Sequence, residues 1–344
     1  MHNLSLKTKI PLLVLVVTIS ILALAVFGAR SYFRLPVLNY YSASEKAFKI
    51  PGLNSELVAQ GLHYDEKNEL YLVSAYSSDG DSSTVSLVDK ASGELLKTIK
   101  LAKLDGSSFK GHAGGVACFD KYVYVAGSGD KCIYVFPYDE MLSAENGARV
   151  ASIGSFSLSY SDSDYVKSSF LSVCDGKLIT GEFYSEGNYK TLDTHKLTTK
   201  GGEYNCAIAV EYSLDPEYDF GISPTPDKAY SLPEKVQGIH IENGTIYFSI
   251  SYGLAFSFIK EYRITDANDE GIINLLSYEL PLYSFDSQNM SACYKLPPMS
   301  EEITVVDGKL IVMCESASTK YLFGRLTGGK WCYATDLSDM KSCK

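Results

Sequence analysis

Gln60, Gln237 and Glu301 hold equivalent places in recurring segments of the chain. Each carries a long polar side chain where a strand start that needed only packing would carry Val or Ile. The segments are GLHYDEKNELYLVSAY from Gly61, GGVACFDKYVYVAGSG from Gly114, SFLSVCDGKLITGEFY from Ser169, GIHIENGTIYFSISYG from Gly238 and EEITVVDGKLIVMCES from Glu301. Aligned on their turns, they set Gln60, Gly114, Ser169, Gln237 and Glu301 in one column. A second column, one strand later, holds Ala75, Ser128, Phe183, Ser251 and Glu315, with His112, Glu182 and Glu302 as neighbours. Amides, hydroxyls and carboxylates that converge can hold a small polar ligand. The candidate ligand-binding set is Gln60, His112, Ser128, Ser169, Glu182, Gln237, Ser251, Glu301 and Glu315. The competing expectation is that these groups satisfy one another and trapped water, as a polar channel lining must. Glu182, Glu301 and Glu315 with His112 could also serve acid–base chemistry on a sugar acid or lactone. No Gly-rich phosphate loop, Gly-x-Ser-x-Gly elbow or His-Glu-x-x-His marks a catalytic residue. Asp79-Gly80-Asp81 and Asp266-Ala267-Asn268-Asp269 lack the full spacing of a calcium loop, and there is no Cys-x-x-Cys. Neither a metal nor another cofactor is expected.

The elements that must position this set are strands. Runs such as Leu70-Tyr71-Leu72-Val73, Val123-Tyr124-Val125-Ala126 and Thr245-Ile246-Tyr247-Phe248 are separated by Gly, Asp, Asn and Ser. Asp175-Gly176, Asn243-Gly244 and Asp307-Gly308 favour two-residue hairpin turns. The units recur every 53 to 69 residues with three or four strands each. That is the period of a β-propeller blade, and the innermost strands of such blades begin near a central channel. Five blades are expected, with residues 265–295 as the place for a degenerate sixth. Ile50-Pro51, Leu232-Pro233 and Leu296-Pro297 each precede a unit, where a proline would end an outer strand and start the crossing to the next blade. Phe48-Lys49-Ile50 reads as a strand that closes the ring against the blade containing Leu310–Cys314.

Composition agrees with an all-β body. The 344 residues include 26 Tyr and 15 Phe against one Trp. The net charge is −10, yet residues 1–34 carry Lys7, Lys9, Arg30, Arg34 and no acid, so the rest sums to −14. An acidic body excludes non-specific nucleic-acid binding, which needs a cationic face. Ile10–Gly28 is an uncharged run of 19 residues, enough helix to cross most of a hydrocarbon core. The expected organisation is a cytoplasmic tail 1–9, a transmembrane anchor 10–28, a juxtamembrane stalk 29–45 and a propeller 46–344. A signal peptide cleaved after Ala23-Leu24-Ala25 is the alternative. Either way the body lies on the extracytoplasmic side of the cell membrane, single-pass if the anchor is retained. Of the eight cysteines, Cys332 and Cys343 are the disulfide candidate, since a chain end benefits from being tied down.

The stretches STVSLVDKASGELLKTIKL from Ser83 and YVYVAGSGDKCIYVFPY from Tyr122 resemble the YVTN-type, YncE-like propeller repeat. The resemblance covers residues 57–140 and departs from the pattern at Phe183-Tyr184 and Met313-Cys314. It implies the propeller fold and an extracytoplasmic setting, and little about activity, because propellers host unrelated functions. The segment from Gln60 is similar to the opening of metal-dependent lactonase propellers, with Gln where that family has a ligating Glu. The leading expectation is a membrane-anchored propeller that binds a protein or a small polar ligand. The alternative is a lactonase-like hydrolase or lyase acting at the channel mouth.

Overall fold

The body strands carry apolar residues at consecutive positions, which suits strands covered on both faces. The computed structural model describes residues 6–344 and arranges these strands as five blades. The first blade is Leu57–Asp65, Leu70–Ser77, Thr84–Asp89 and Leu95–Ala102. The second is Val116–Phe119, Tyr122–Gly127, Cys132–Pro137 and Gly154–Ser157. The third is Phe170–Cys174, Lys177–Gly181, Ala207–Ser213 and Lys228–Leu232. The fourth is Val236–Glu242, Thr245–Ile250, Ser257–Arg263 and Met290–Leu296. The fifth is Ser300–Val306, Lys309–Cys314, Trp331–Thr335 and, from the other end of the chain, Ser44–Lys49. Neighbouring strands among these are antiparallel.

The core is five wedges, one between each pair of adjacent blades. Side chains alternate across a strand, so one strand feeds two wedges. Leu70 and Leu72 pack towards the second blade, while Tyr71 and Val73 pack towards the fifth. Val123 and Val125 face the first blade, and Tyr124 and Ala126 the third. The hairpins close as the dipeptides require: φ is positive at both residues of Asp175-Gly176, Asn243-Gly244 and Asp307-Gly308. Pro51, Pro233 and Pro297 follow the outermost of the four strands of the fifth, third and fourth blades.

Residues 265–295 form no sixth blade. Asn268–Leu275 and Tyr278–Ser284 make a hairpin whose second strand pairs in parallel with Lys228–Leu232, extending the third blade to six strands. The excursion leaves the fourth blade after Arg263 and returns at Met290, so it covers a neighbour's edge without starting a new repeat.

Helix α1 spans Leu6–Arg34 and exposes its apolar side chains from Ile10 to Phe27. It is one N-terminal apolar helix of a length and composition that could span a membrane. Within the uncharged run Thr18 Oγ1 donates to the Val14 carbonyl and Ser20 Oγ to the Val16 carbonyl, 2.9 Å each. That is how hydroxyls are satisfied where water is absent. The expected tail 1–9 begins in residues 1–5, which lie outside the described residues. Residues 35–42, read as part of a stalk, lie on the propeller. Val37 and Tyr40 are buried, and the Tyr40 ring centre is 5.7 Å from that of Tyr333. The chain then enters the fifth blade with Ser44 opposite Thr335 and Phe48 opposite Cys332.

Candidate functional site

The site begins with a break in the strand ladders. Pairing slips between Ala59 and Leu62, between Val236 and Gly238, and between Ser300 and Ile303. Each slip is a bulge that re-aims side chains and frees amides near the channel. One consequence is a central plug. Gly61, Gly115 and Gly238 follow Gln60, Gly114 and Gln237, and a Cβ on any of them would lie within 2.8 Å of a neighbouring strand's backbone. The equivalent residue of the fifth blade is Glu302, and its fully buried carboxylate fills the space the glycines leave. Glu302 Oε2 accepts from the amides of Leu62 (2.8 Å) and Val116 (3.3 Å), and Oε1 accepts from that of Leu171 (3.0 Å). One side chain thus ties the fifth blade to the first three. Burial pushes this carboxyl well above the usual carboxylate range, and the three amides pull against that.

Beside the plug lies a cavity of about 330 Å³. Gln60, His112, Ser128, Ser169, Gln237, Ser251, Glu301 and Glu315 all line it. The structure therefore brings eight of the nine candidate residues together, from all five blades. Glu182 is the exception. It is fully buried away from the cavity, its Oε2 2.8 Å from His195 Nδ1 and 3.3 Å from the Ile208 amide. Its alternation places it one step past the mouth, where it anchors the long loop after Gly181.

Within the cavity Gln60 donates to Glu315 Oε2 at 2.9 Å. Glu301 is buried, and its pKa is pushed well above the carboxylate range by desolvation and then by the nearby Glu315 and Glu302. Glu315 is raised to about 7, chiefly by burial, against the lowering pull of Gln60 and Lys320. The His112 ring stacks on Tyr76 at 4.5 Å between centroids. One edge of His112 is open to solvent, yet the surrounding protein, and then the Lys320 ammonium, lower its pKa. Lys320 donates to the Tyr76 hydroxyl at 2.7 Å. The rest of the wall is aromatic: Phe183, Tyr189, Tyr252 and Tyr321.

Sequence reasoning missed Tyr76, Lys320 and Tyr321. The alignment pointed to Ala75, one residue short, whereas it is Tyr76 that lines the cavity. Lys320 and Tyr321 lie in the crossing from Cys314 to Trp331, which has no repeat and so offered no column to read. Among the described residues no three His, Cys, Asp or Glu side chains stand together as a metal site. The proposed pairing of Cys332 with Cys343 is not seen. Cys332 is buried with its sulfur 3.2 Å from the Val312 carbonyl, while the Cys343 sulfur is 3.2 Å from that of Cys293. The chain end is tied down on the fourth blade, where the Cys343 amide also donates to the Cys293 carbonyl.

No family model matches the sequence, and no curated protein matches it. Among solved structures the chain is similar to glutaminyl cyclase from Myxococcus xanthus, at 14% identity and a TM-score of 0.41, over 85% of this chain and 94% of that one. It is also similar to the PQQ-bound aldose sugar dehydrogenase from Streptomyces coelicolor, at 13% identity and a TM-score of 0.41, over 84% and 95%. Likeness of this degree carries no argument about ligand or activity; the propeller stands on its own strand order.

Proposed function

We propose that the protein is a membrane-anchored propeller that binds a small, neutral, hydroxyl-rich ligand at the mouth of its central channel. The observation that carries this reading is the convergence of Gln60, Gln237, Glu301 and Glu315 from three blades on one aromatic-walled cavity of about 330 Å³. Burial raises the pKa of Glu301 well above the usual carboxylate range and that of Glu315 to about 7, it lowers that of His112, and the Lys320 ammonium in the same wall offsets the carboxylate charge that remains. A protonated carboxyl donates and an ionised one accepts, so the pair matches hydroxyls, which do both. Aromatic faces supply the apolar contact. The resemblance of residues 57–140 to YVTN-type repeats and the apolar α1 favour a setting on the extracytoplasmic face, with α1 retained as anchor. Calorimetric titration against neutral sugars and polyols, sugar acids and amines tests the ligand class. Binding of a neutral polyol that Glu301→Gln and Gln237→Ala both weaken, with folding retained, supports it. Selective binding of amines or acids, or affinity unchanged in both variants, defeats it.

A second reading, the hydrolase or lyase, draws on Glu315 alone, whose pKa of about 7 suits a general acid or base. Turnover of a lactone that Glu315→Gln abolishes would favour it over pure binding.

A further inference from the structure

We infer that the channel-mouth rim over the fourth and fifth blades rests on the lipid bilayer surface. This rests on the reading of α1 as a retained membrane anchor. The end of α1 docks on mouth-side loops of these two blades. Tyr32 lies 6.4 Å from Phe256 between ring centres, Phe33 lies 5.0 Å from Phe323, and Arg34 donates to the Thr327 carbonyl at 3.1 Å. Phe256 belongs to the crossing between Ile250 and Ser257 that also supplies Tyr252 to the cavity. Phe323 and Thr327 belong to the crossing that supplies Lys320 and Tyr321. The uncharged run ends at Ala29, three residues before Tyr32, or about 4.5 Å of helix. The rim therefore lies within one helical turn or so of the point where α1 would leave the hydrocarbon.

Two further observations favour a lipid surface as the occupant. The same loops expose large apolar side chains, Leu254 at 59%, Leu322 at 54% and Leu326 at 42%. They are also basic within an acidic body: residues 316–330 hold Lys320, Arg325 and Lys330 and no acid, and Arg30 is exposed on α1 beside them. Exposed leucines among cations, next to an apolar helix, complement an anionic headgroup layer. The mouth-side loops of the first and second blades carry exposed Asp79, Asp81 and Asp130, the last two paired with Lys100 and Lys103.

The full chain, reconstituted in vesicles of phosphatidylcholine and phosphatidylglycerol, provides the test. Leu254→Trp and Leu326→Trp are each made in a Trp331→Phe background, with Leu96→Trp, exposed at the opposite end of the first blade, as reference. If Trp331→Phe impairs folding, the native Trp331 is kept and its emission subtracted. Lipids brominated in the upper acyl chain are expected to quench both rim tryptophans and shift their emission to shorter wavelength, leaving Leu96→Trp unaffected. Chain that floats with the vesicles after carbonate treatment, but whose rim tryptophans are quenched no more than the reference, overturns this inference and leaves the anchor standing. Chain that does not float overturns the anchor and this inference with it.

Discussion

Glu302 is the residue on which the ring converges. It replaces the glycine of its repeat and accepts three amides from three other blades. Glu302→Ala leaves those amides without a partner in a closed interior, at about 1–3 kcal/mol for each unsatisfied group, not fully additive. The expected loss is at least about 3 kcal/mol in urea unfolding, larger than for Glu182→Ala or Glu301→Ala. The cavity carboxyls make a separate, opposite point. Glu301 and Glu315 have raised pKa values in the folded protein, so the folded state holds protons that the unfolded chain has released. Their contribution is fully present below the unfolded carboxylate pKa and is lost as pH rises through the folded values. For Glu315 that window runs from about 4.5 to about 7, and Glu301 acts with the same sign. His63 and His240, lowered to about 4 by burial, act with the opposite sign, but only between about 4 and 6.5. The thermal midpoint is therefore expected to fall as pH rises past about 6.5, where the opposing histidine contributions have ended, and to fall less in Glu301→Gln. An unchanged slope in that variant would assign the pH dependence elsewhere.

At the scale of elements, Ser44–Lys49 decides whether the ring closes. It supplies the outer strand of the fifth blade, and Phe48 is buried in the wedge between the fifth and first blades with Ile50, Tyr71 and Cys332. Deleting residues 44–53 opens a sheet edge and empties that wedge, so the whole domain should lose its single cooperative transition. Phe48→Ala, which keeps the strand, is expected to cost about 3–5 kcal/mol. A deletion variant that still unfolds in one transition at the parent midpoint would show that closure does not depend on this strand. The hairpin Asn268–Ser284 is the contrasting element, since it only extends the edge of the third blade.

On the scale of the molecule, one apolar helix is joined to one propeller by a buried crossing. Val37 and Tyr40 fix the crossing, and Arg34 sits 3.9 Å above the Tyr41 ring. The proposed anchor is expected to keep the full-length chain in the carbonate-washed membrane fraction, with the mature protein retaining residues 10–28. A released chain beginning at Val26 would identify a cleaved signal instead.

The repeats, the turn dipeptides and the proline punctuation were legible because they are local. A strand that needs both faces covered is written as a continuous apolar run, and a turn that needs positive φ is written as Asn-Gly or Asp-Gly. Repetition then made Gln60, Gln237 and Glu301 equivalent without any coordinates. Other features depend on contacts between distant segments, which no local signal records. The side of a strand end that reaches the channel separates Tyr76 from Ala75 and sends Glu182 to His195. The partner of Cys343 is Cys293, fifty residues away, because the chain end folds back on the fourth blade. Lys320 and Tyr321 come to the mouth, and α1 comes to the rim beside them, only because the crossing from Cys314 to Trp331 must span the top of the fifth blade. Alternation and turn chemistry set the parts of this protein, while ring closure sets which side chains meet.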